Sequence, residues 1–418
     1  MQKLIIKGNR ILKGNISISG SKNATLPILA ASILAEKVSL KNIPFVKDVL
    51  TMIELLNFIG LQIKFNKKKK TINIKNKNNE LNPVAPYKLV KTMRAGVLVL
   101  GPLLARNKKA KVSLPGGCAI GTRPVDLHLF ALKKLGAKIK IRNGYILATA
   151  TNGLKGNHIK FPSISVGATE NAILASICAK GKTELTNCAI EPEIKDLILF
   201  LKKLGANISI KNRKIIINGS SSRFLSVNYK IMFDRIEAGT YLIASAIAGK
   251  KMTLSNLKPQ VINTEIKILR KMGVKINIYK NKLEILESRN IKRTIIKTSP
   301  YPGFPTDLQA QIMVLMTKAQ GSSKIKENIF ENRFMHVPEL KRMGAKIKIK
   351  NNTAIINGPT TLSGAEVMAT DLRASVSLVL AALISDKRTV INRIYHLDRG
   401  YENLENKLKK CNASIQRV

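Results

Sequence analysis

The sequence predicts an α/β protein built from six repeats of one unit, grouped as two bodies of three. Two patterns carry the prediction. The first is a helix end, a stop residue and a strand of alternating residues: LLNFIGLQIKF, LKKLGAKIKI, LKKLGANISI, LRKMGVKINI, LKRMGAKIKI and LKKCNASIQR. The second is an apolar, small-residue helix leading into a strand, in ILAASILAEKVSLKN, ILASICAKGKTELTN, LIASAIAGKKMTLSN and LVLAALISDKRTVIN. The stop residues Gly60, Gly136, Gly205, Gly273, Gly344 and Asn412 lie 76, 69, 68, 71 and 68 residues apart. Asn replaces Gly in the sixth copy because, after Gly, it best tolerates the left-handed conformation just past a helix. A period of about 70 is too long for common solenoids. Helices that are apolar all round must be enclosed, so sheets and amphipathic helices are expected outside them.

Taken along the chain, Gly20-Ser21-Lys22-Asn23-Ala24 puts an ammonium and an amide at the start of the first apolar helix, where Lys22 is either a ligand group or simply solvated. The apolar run from Pro27 to Ala35 is too short for a membrane span, and polar residues precede it where an export signal would be basic. Lys67 to Lys70 reads as a solvated turn between two strands. Pro115-Gly116-Gly117-Cys118-Ala119-Ile120-Gly121-Thr122-Arg123-Pro124 then sets a lone thiol in a glycine-rich loop. A helix is expected from Val125 to Leu135, because Leu127, Phe130, Ala131, Leu132 and Leu135 recur at helical spacing and Gly136 stops the run. Pro124 suits the first helical position. Cys118 and Arg123 are thereby expected at a helix N-terminus, which favours anions; the plainer alternative is a glycine turn with a small buried cysteine.

Four polar stretches break the repeat pattern in the last two units. Phe304-Pro305-Thr306-Asp307-Leu308-Gln309 places Asp307 at a helix start, where Thr306 or Asp307 also suits an N-cap; replacement of Asp307 by Asn would keep such a cap. Phe330 to His336 is dense in charge and aromatics. Ala369-Thr370-Asp371-Leu372-Arg373-Ala374 and Asp398-Arg399-Gly400-Tyr401-Glu402 complete the set. One such acid and arginine pair is explained by a structural ion pair. Four at equivalent places point to chemistry.

A chain of 418 residues with 45% apolar content suits two or three domains with real cores. Cys118, Cys178, Cys188 and Cys411 form no CxxC pair, and the four histidines show no zinc-like spacing with them, which suits a reducing cytosol without structural metal. The net charge of +47 raises nucleic-acid binding as an alternative. Against it, lysines are spread through nearly every segment, aromatics make up 5% and Trp is absent, so stacking platforms are scarce. A positive surface would still attract anionic substrates.

Read together, GSKNATLP, LVKTMRA, SLPGGCAIGTRPVDLH, SVGATE, FPTDLQAQ, IFENRFMH, MATDLRAS and HLDRGYE stand in the order shown by the enolpyruvyl transferases that use UDP-N-acetylglucosamine, and the chain resembles that family over essentially its whole length. The resemblance implies a two-domain, inside-out α/β barrel of six βαβαββ repeats, three per domain, with residues 22–232 in one domain and residues 1–21 plus 233–418 in the other. It also implies that the 3′-hydroxyl of the sugar adds to C2 of phosphoenolpyruvate, whose C3 is protonated, before phosphate leaves. By position, Cys118 matches the family's proton donor and Asp307 the group placed to take the hydroxyl proton. Lys22, Arg123 and Arg399 match its phosphate and carboxylate ligands, Lys22 and Arg399 also counting as catalytic, with Asn23, Arg373 and Asp371 beside them. The implied nucleotide contacts are Arg94, Arg123, Pro124, Val125, Asp126, Leu127, Ser163, Ile164, Ser165, Val166, Asp307 and Ile329. Some members carry lysine where this chain has Ser163, so the diphosphate contacts there depart from the family pattern.

The resemblance implies no cofactor, metal, nucleic-acid partner or membrane insertion, and a cytoplasmic protein. Two alternatives remain: a shikimate-pathway enolpyruvyl transferase, which lacks this cysteine loop, and a basic repeat protein without catalysis. The expected groups fall into two sequence sets. Lys22, Cys118 and Arg123 lie in one half and Asp307, Arg373 and Arg399 in the other, so no single body of three repeats holds them all.

Overall fold

A computed structural model describes residues 2–76, 81–116, 125–220 and 224–418. The described residues divide into two compact units, one of residues 20–232 and one joining residues 2–19 to Phe233–Val418. Each unit contains three four-stranded sheets.

The sheets share one pattern. In the third, His158–Lys160 runs parallel to Lys182–Thr186, which pairs antiparallel with Lys214–Asn218, and Asn207–Lys211 completes the hairpin at the edge. The helix Val166–Ser176 supplies the crossover between the two parallel strands, as a parallel connection requires. Segments distant in sequence complete three of the other sheets. Phe224–Lys230 lies parallel to Ala35–Lys41, with Val227 opposite Val38. Leu12–Ser17 lies parallel to Gly249–Ser255, and Leu4–Lys7 sits antiparallel between Arg388–Asn392 and Ser414–Arg417. Those two pairings tie the N-terminal strands to the C-terminal half.

Six helices form the inside of the units: Lys22–Ala31, Leu100–Asn107 and Val166–Ser176 in one, Arg235–Ala248, Gln309–Met316 and Leu372–Leu383 in the other. Most of their residues are buried on every side, and each unit has its own apolar core. At roughly 1.5–3 kcal/mol per large apolar side chain, these helices supply much of the burial that offsets chain entropy. Leu100–Asn107 and Gln309–Met316 extend the four-copy sequence pattern to six. They escape that pattern because one ends in Ala-Arg-Asn and the other opens with Gln309 and Gln311. Outer helices are amphipathic: Asn263–Lys271 buries Ile266 and Leu269 and keeps Arg270 and Lys271 in its last turn, where cations suit the dipole.

The stop residues adopt the left-handed conformation that the sequence requires. Their φ values are 116° at Gly60, 95° at Gly136, 107° at Gly205, 91° at Gly273, 93° at Gly344 and 73° at Asn412. At Gly136 an added Cβ would meet nothing within 4 Å, so substitution there tests backbone conformation alone. Gly136→Ala is expected to lower unfolding free energy in urea by about 1 kcal/mol, and Gly136→Asn by less. An Ala variant as stable as the parent would contradict this account.

Candidate functional site

In the C-terminal unit the three inner helices open with polar side chains that the helices themselves bury. Arg235, Glu237 and Thr240 lie on the first, Gln309 and Gln311 on the second, and Arg373 on the third. A buried polar group is costly unless hydrogen-bonded, so these starts are bonded to one another. Two glycines allow the close approach. A Cβ at Gly239 would stand 2.3 Å from the Leu308 side chain, and one at Gly400 would stand 2.8 Å from Leu372. Leu308 and Leu372 are the chain neighbours of Asp307 and Arg373.

Asp307 is the centre of this arrangement. Its carboxylate accepts from Arg333 Nη2 at 2.8 Å through Oδ1 and from Arg373 Nη2 at 3.0 Å through Oδ2. The two guanidinium side chains are only 3% and 5% exposed, whereas Asp307 is 27% exposed and turns one edge to solvent. Burial works against the charge on Arg373, yet Asp307, with Tyr401 and Asp234, raises its pKa above the ordinary arginine value. No side-chain cap is present at Thr306–Leu308 or at Gln309–Met316. The capping expectation for Thr306 and Asp307 is therefore corrected: the arginines draw the Asp307 carboxylate away from the backbone, and the Thr306 hydroxyl donates to Glu327 at 2.9 Å.

Glu327 holds the segment that carries Arg333. It accepts from the Ile329 and Phe330 backbone N–H groups at 2.8 and 3.3 Å, and from Thr298 at 2.9 Å. One buried carboxylate thereby ties the Arg333 turn to the Asp307 turn. His336, at the end of that turn, is buried with Nε2 3.3 Å from Met313 Sδ, and burial lowers its pKa to about 4. Asp371 serves as the N-cap of Leu372–Leu383, accepting from the backbone N–H groups of Arg373 and Ala374 at 2.7 and 3.1 Å. That cap sets the backbone under Arg373. The Asp398-Arg399 reading is corrected as well, because Asp398 pairs with Arg417 at 2.7 and 3.0 Å. Arg399 ends the short helix Ile394–Arg399, half-buried, and its charge contributes with burial to lowering the pKa of His396.

In the unit of residues 20–232, Lys22 opens its helix behind the Ser21 cap and is buried, so solvation is excluded. Its ammonium donates to Asp48 at 3.2 Å, in the first turn of the next helix; that carboxylate offsets a cation at an unfavourable helix end. Asn23 follows Lys22 in that first turn. Cys118, Arg123 and Pro124 lie outside the described residues. The helix that follows them runs Asp126–Lys134, with Val125 as its N-cap position and Leu127 in its first turn, one residue shorter at each end than expected. His128 pins it: Nδ1 lies 3.1 Å from Asn171 Nδ2, and Asn171 also donates to the Val97 carbonyl and accepts from the Gly101 N–H. Burial, then the charge of Arg94, lowers the His128 pKa to about 3. Ser165 caps Val166–Ser176 by accepting from the Ala168 N–H, and Ser163 and Ile164 precede it, Ser163 exposed. Among the described residues, no group of three or more His, Cys, Asp or Glu side chains could hold a metal ion.

A family model described as EPSP synthase (3-phosphoshikimate 1-carboxyvinyltransferase) matches residues 6–408. A protein of Pelagibacter ubique named UDP-N-acetylglucosamine 1-carboxyvinyltransferase is 59% identical over the whole of both chains, and one of that name from Rickettsia bellii is 53% identical with the same coverage. This chain belongs to the UDP-N-acetylglucosamine 1-carboxyvinyltransferase family. Its fold is that of enolpyruvyl transferases. The enolpyruvyl transferase NikO from Streptomyces tendae superposes with a TM-score of 0.88 at 23% identity, covering 100% of this chain and 99% of that one. EPSP synthase from Acinetobacter baumannii gives 0.77 at 18% identity with the same coverage. Within this carboxyvinyltransferase family member, Arg333 and Glu327 belong to the cluster around Asp307, and reading the sequence missed both. Arg333 stood in a motif already singled out; no local pattern marked Glu327.

The histidines set an expected acid limb. His336 has its pKa lowered from 6.5 to about 4, so between those values the unfolded chain binds a proton that the folded chain refuses. Stability is therefore expected to fall as pH drops from about 6.5 towards 4, with His128 continuing the trend to about 3. His336→Gln should flatten the pH dependence of the urea midpoint in that window. An unchanged slope would show that His336 titrates normally.

Proposed function

We propose that the chain transfers the 1-carboxyvinyl group of phosphoenolpyruvate to the 3′-hydroxyl of UDP-N-acetylglucosamine, releasing phosphate. The observation that carries this reading is a solvent-edged carboxylate held between two buried guanidinium groups, in a chain 59% identical over its full length to a relative bearing that name. Addition forms the bond from the sugar oxygen to C2 and places a proton on C3. Elimination removes a proton from C3 and breaks the bond from C2 to the phosphate oxygen.

Asp307 takes the hydroxyl proton in this proposal. In the resting protein each of its oxygens accepts one arginine N–H, which leaves a further lone pair on each for the hydroxyl proton at its solvent-facing edge. Arg373 and Arg399 then stabilise anionic oxygens together with Lys22, Asn23 and Arg123, and a water-poor site strengthens each of those interactions. Cys118 donates the C3 proton. In this reading Arg123, five residues on in sequence, would favour its thiolate, and a bound anion would restore the thiol. Arg94, Arg123, Pro124, Val125, Asp126, Leu127, Asp307 and Ile329 form the nucleotide contacts, along with the cap segment Ser163, Ile164, Ser165 and Val166. The same proposal includes a cytoplasmic role in peptidoglycan precursor synthesis and alkylation of Cys118 by fosfomycin.

Phosphate release from the pure protein with both substrates tests the reading directly. Cys118→Ser should nearly abolish turnover, because a hydroxyl is too weak an acid, while Cys118→Asp should retain activity and resist fosfomycin. Wild-type turnover in the Ser variant would remove Cys118 from the mechanism. For Asp307→Asn we expect kcat to fall at least about a hundredfold. We also expect a loss of about 1–3 kcal/mol of stability, since two buried guanidinium groups lose their carboxylate. Near-normal kcat in a destabilised variant would reduce Asp307 to a structural ion-pair partner.

A further inference from the structure

Tyr401 stood within a motif that the sequence singled out, yet the reaction as described leaves it without a task. Its phenol is 3% exposed and lies where the three inner helices of the C-terminal unit begin. Arg373 Nη1 donates to the phenol oxygen at 3.2 Å, Gln311 Nε2 lies 3.4 Å from it, and Thr240 Oγ1 lies 2.9 Å away. The supply of protons sets the direction of this chain of bonds. Thr240 has a single hydroxyl proton and donates it to the Ile236 carbonyl at 2.8 Å, so Oγ1 accepts from Tyr401. The lone pairs of Tyr401 are left for Arg373 and Gln311. Gln311 Nε2 also donates to the Asp307 carbonyl at 2.9 Å, which ties the same cluster to the Asp307 turn. Burial, against the opposing charge of Arg373, raises the Tyr401 pKa and keeps the phenol a neutral donor.

We propose that Tyr401 is a positioning residue: its hydroxyl, anchored through Thr240 to a helix carbonyl, fixes the plane of Arg373 so that Nη2 addresses Asp307 and the incoming anion. The proposal deepens the reading of this site as an enolpyruvyl transfer centre and rests on it. Arg373 has one terminal nitrogen on Tyr401 and the other on Asp307. If an anionic substrate draws Nη2 from Asp307, the Tyr401 bond is the one that keeps the guanidinium from swinging with it. The Tyr401 ring also lies 5.5 Å from the Arg373 guanidinium carbon, so Phe at this position keeps the packing surface and removes only the hydroxyl.

The test uses the full-length protein and the variants Tyr401→Phe, Thr240→Val and Thr240→Ser. Tyr401→Phe is expected to raise KM for phosphoenolpyruvate about tenfold and to leave KM for UDP-N-acetylglucosamine within about twofold. Thr240→Val should move the same constant in the same direction, and Thr240→Ser should restore it. A purely structural role would lower the active fraction, and hence kcat, with both KM values unchanged. That result, or equal values for Thr240→Val and Thr240→Ser, would overturn the proposal. The Thr240 pair carries the test if Tyr401→Phe does not fold. Nitrogen NMR of the Arg373 guanidinium, assigned by its loss in Arg373→Lys, supplies a readout independent of turnover. Separate Nη signals in the parent that merge in Tyr401→Phe, or in Thr240→Val, support the relay; merged signals in the parent refute it. If the parent released no phosphate while its Nη signals were separate, the functional reading alone would fail.

Discussion

The carboxylate of Asp307, shared between Arg333 and Arg373, is the interaction on which the C-terminal unit's polar interior depends. Two guanidinium groups with 3% and 5% exposure cannot be left unpaired, because an isolated buried charge costs several kcal/mol. Asp307 answers both at once. Much of the surrounding polar structure keeps these three side chains in register: Glu327 under the Arg333 turn, Asp371 under the backbone of Arg373, and Thr240, Gln311 and Tyr401 behind its guanidinium. The same grip holds the Asp307 carboxylate ionised and in a fixed orientation, with one lone pair of each oxygen still unshared by the arginines.

The repeat architecture explains why this polar cluster exists at all. Inner helices buried on all sides have no solvent-facing stripe for charged residues, so polar side chains collect at their starts, where unsatisfied backbone N–H groups and the dipole already favour hydrogen bonding. The unit of residues 20–232 uses the same rule with different residues. Lys22 meets Asp48 between two helix starts, while Asn171, in the middle of Val166–Ser176, binds Val97, Gly101 and His128 and so fixes the helix Asp126–Lys134. In a scaffold of this kind the sheets and helix bodies supply the apolar cores, and the helix starts of the C-terminal unit gather buried polar groups.

Much of this was legible in the residues themselves. The six stop residues are a local signal, because a left-handed backbone admits few side chains, and Asn412 at φ 73° obeys it as the glycines do. Asp307, Arg373 and Lys22 were legible as polar interruptions at the edges of apolar helices. Their partners were not. Asp48 sits in the first turn of an ordinary amphipathic helix, and Glu327 follows a strand of alternating burial rich in Ser and Lys, so neither has a sequence context that distinguishes it from a solvated acid. Asp398 was read with its neighbour Arg399, whereas its partner Arg417 comes from the last strand and is brought close only by the antiparallel sheet with Leu4–Lys7 at its centre. Pairing across sheets is a tertiary fact, and adjacency in sequence is a poor guide to it.

The most direct measurement of the central claim is a double-mutant cycle between Asp307 and Arg373, using Asp307→Asn, Arg373→Gln and the double variant, read by urea unfolding of the full-length protein. If the shared carboxylate organises the site, the losses from the two single substitutions are strongly non-additive, with a coupling free energy of about 1–3 kcal/mol. Additive losses, within about 0.5 kcal/mol, would contradict the account and leave the two side chains as neighbours without a common role.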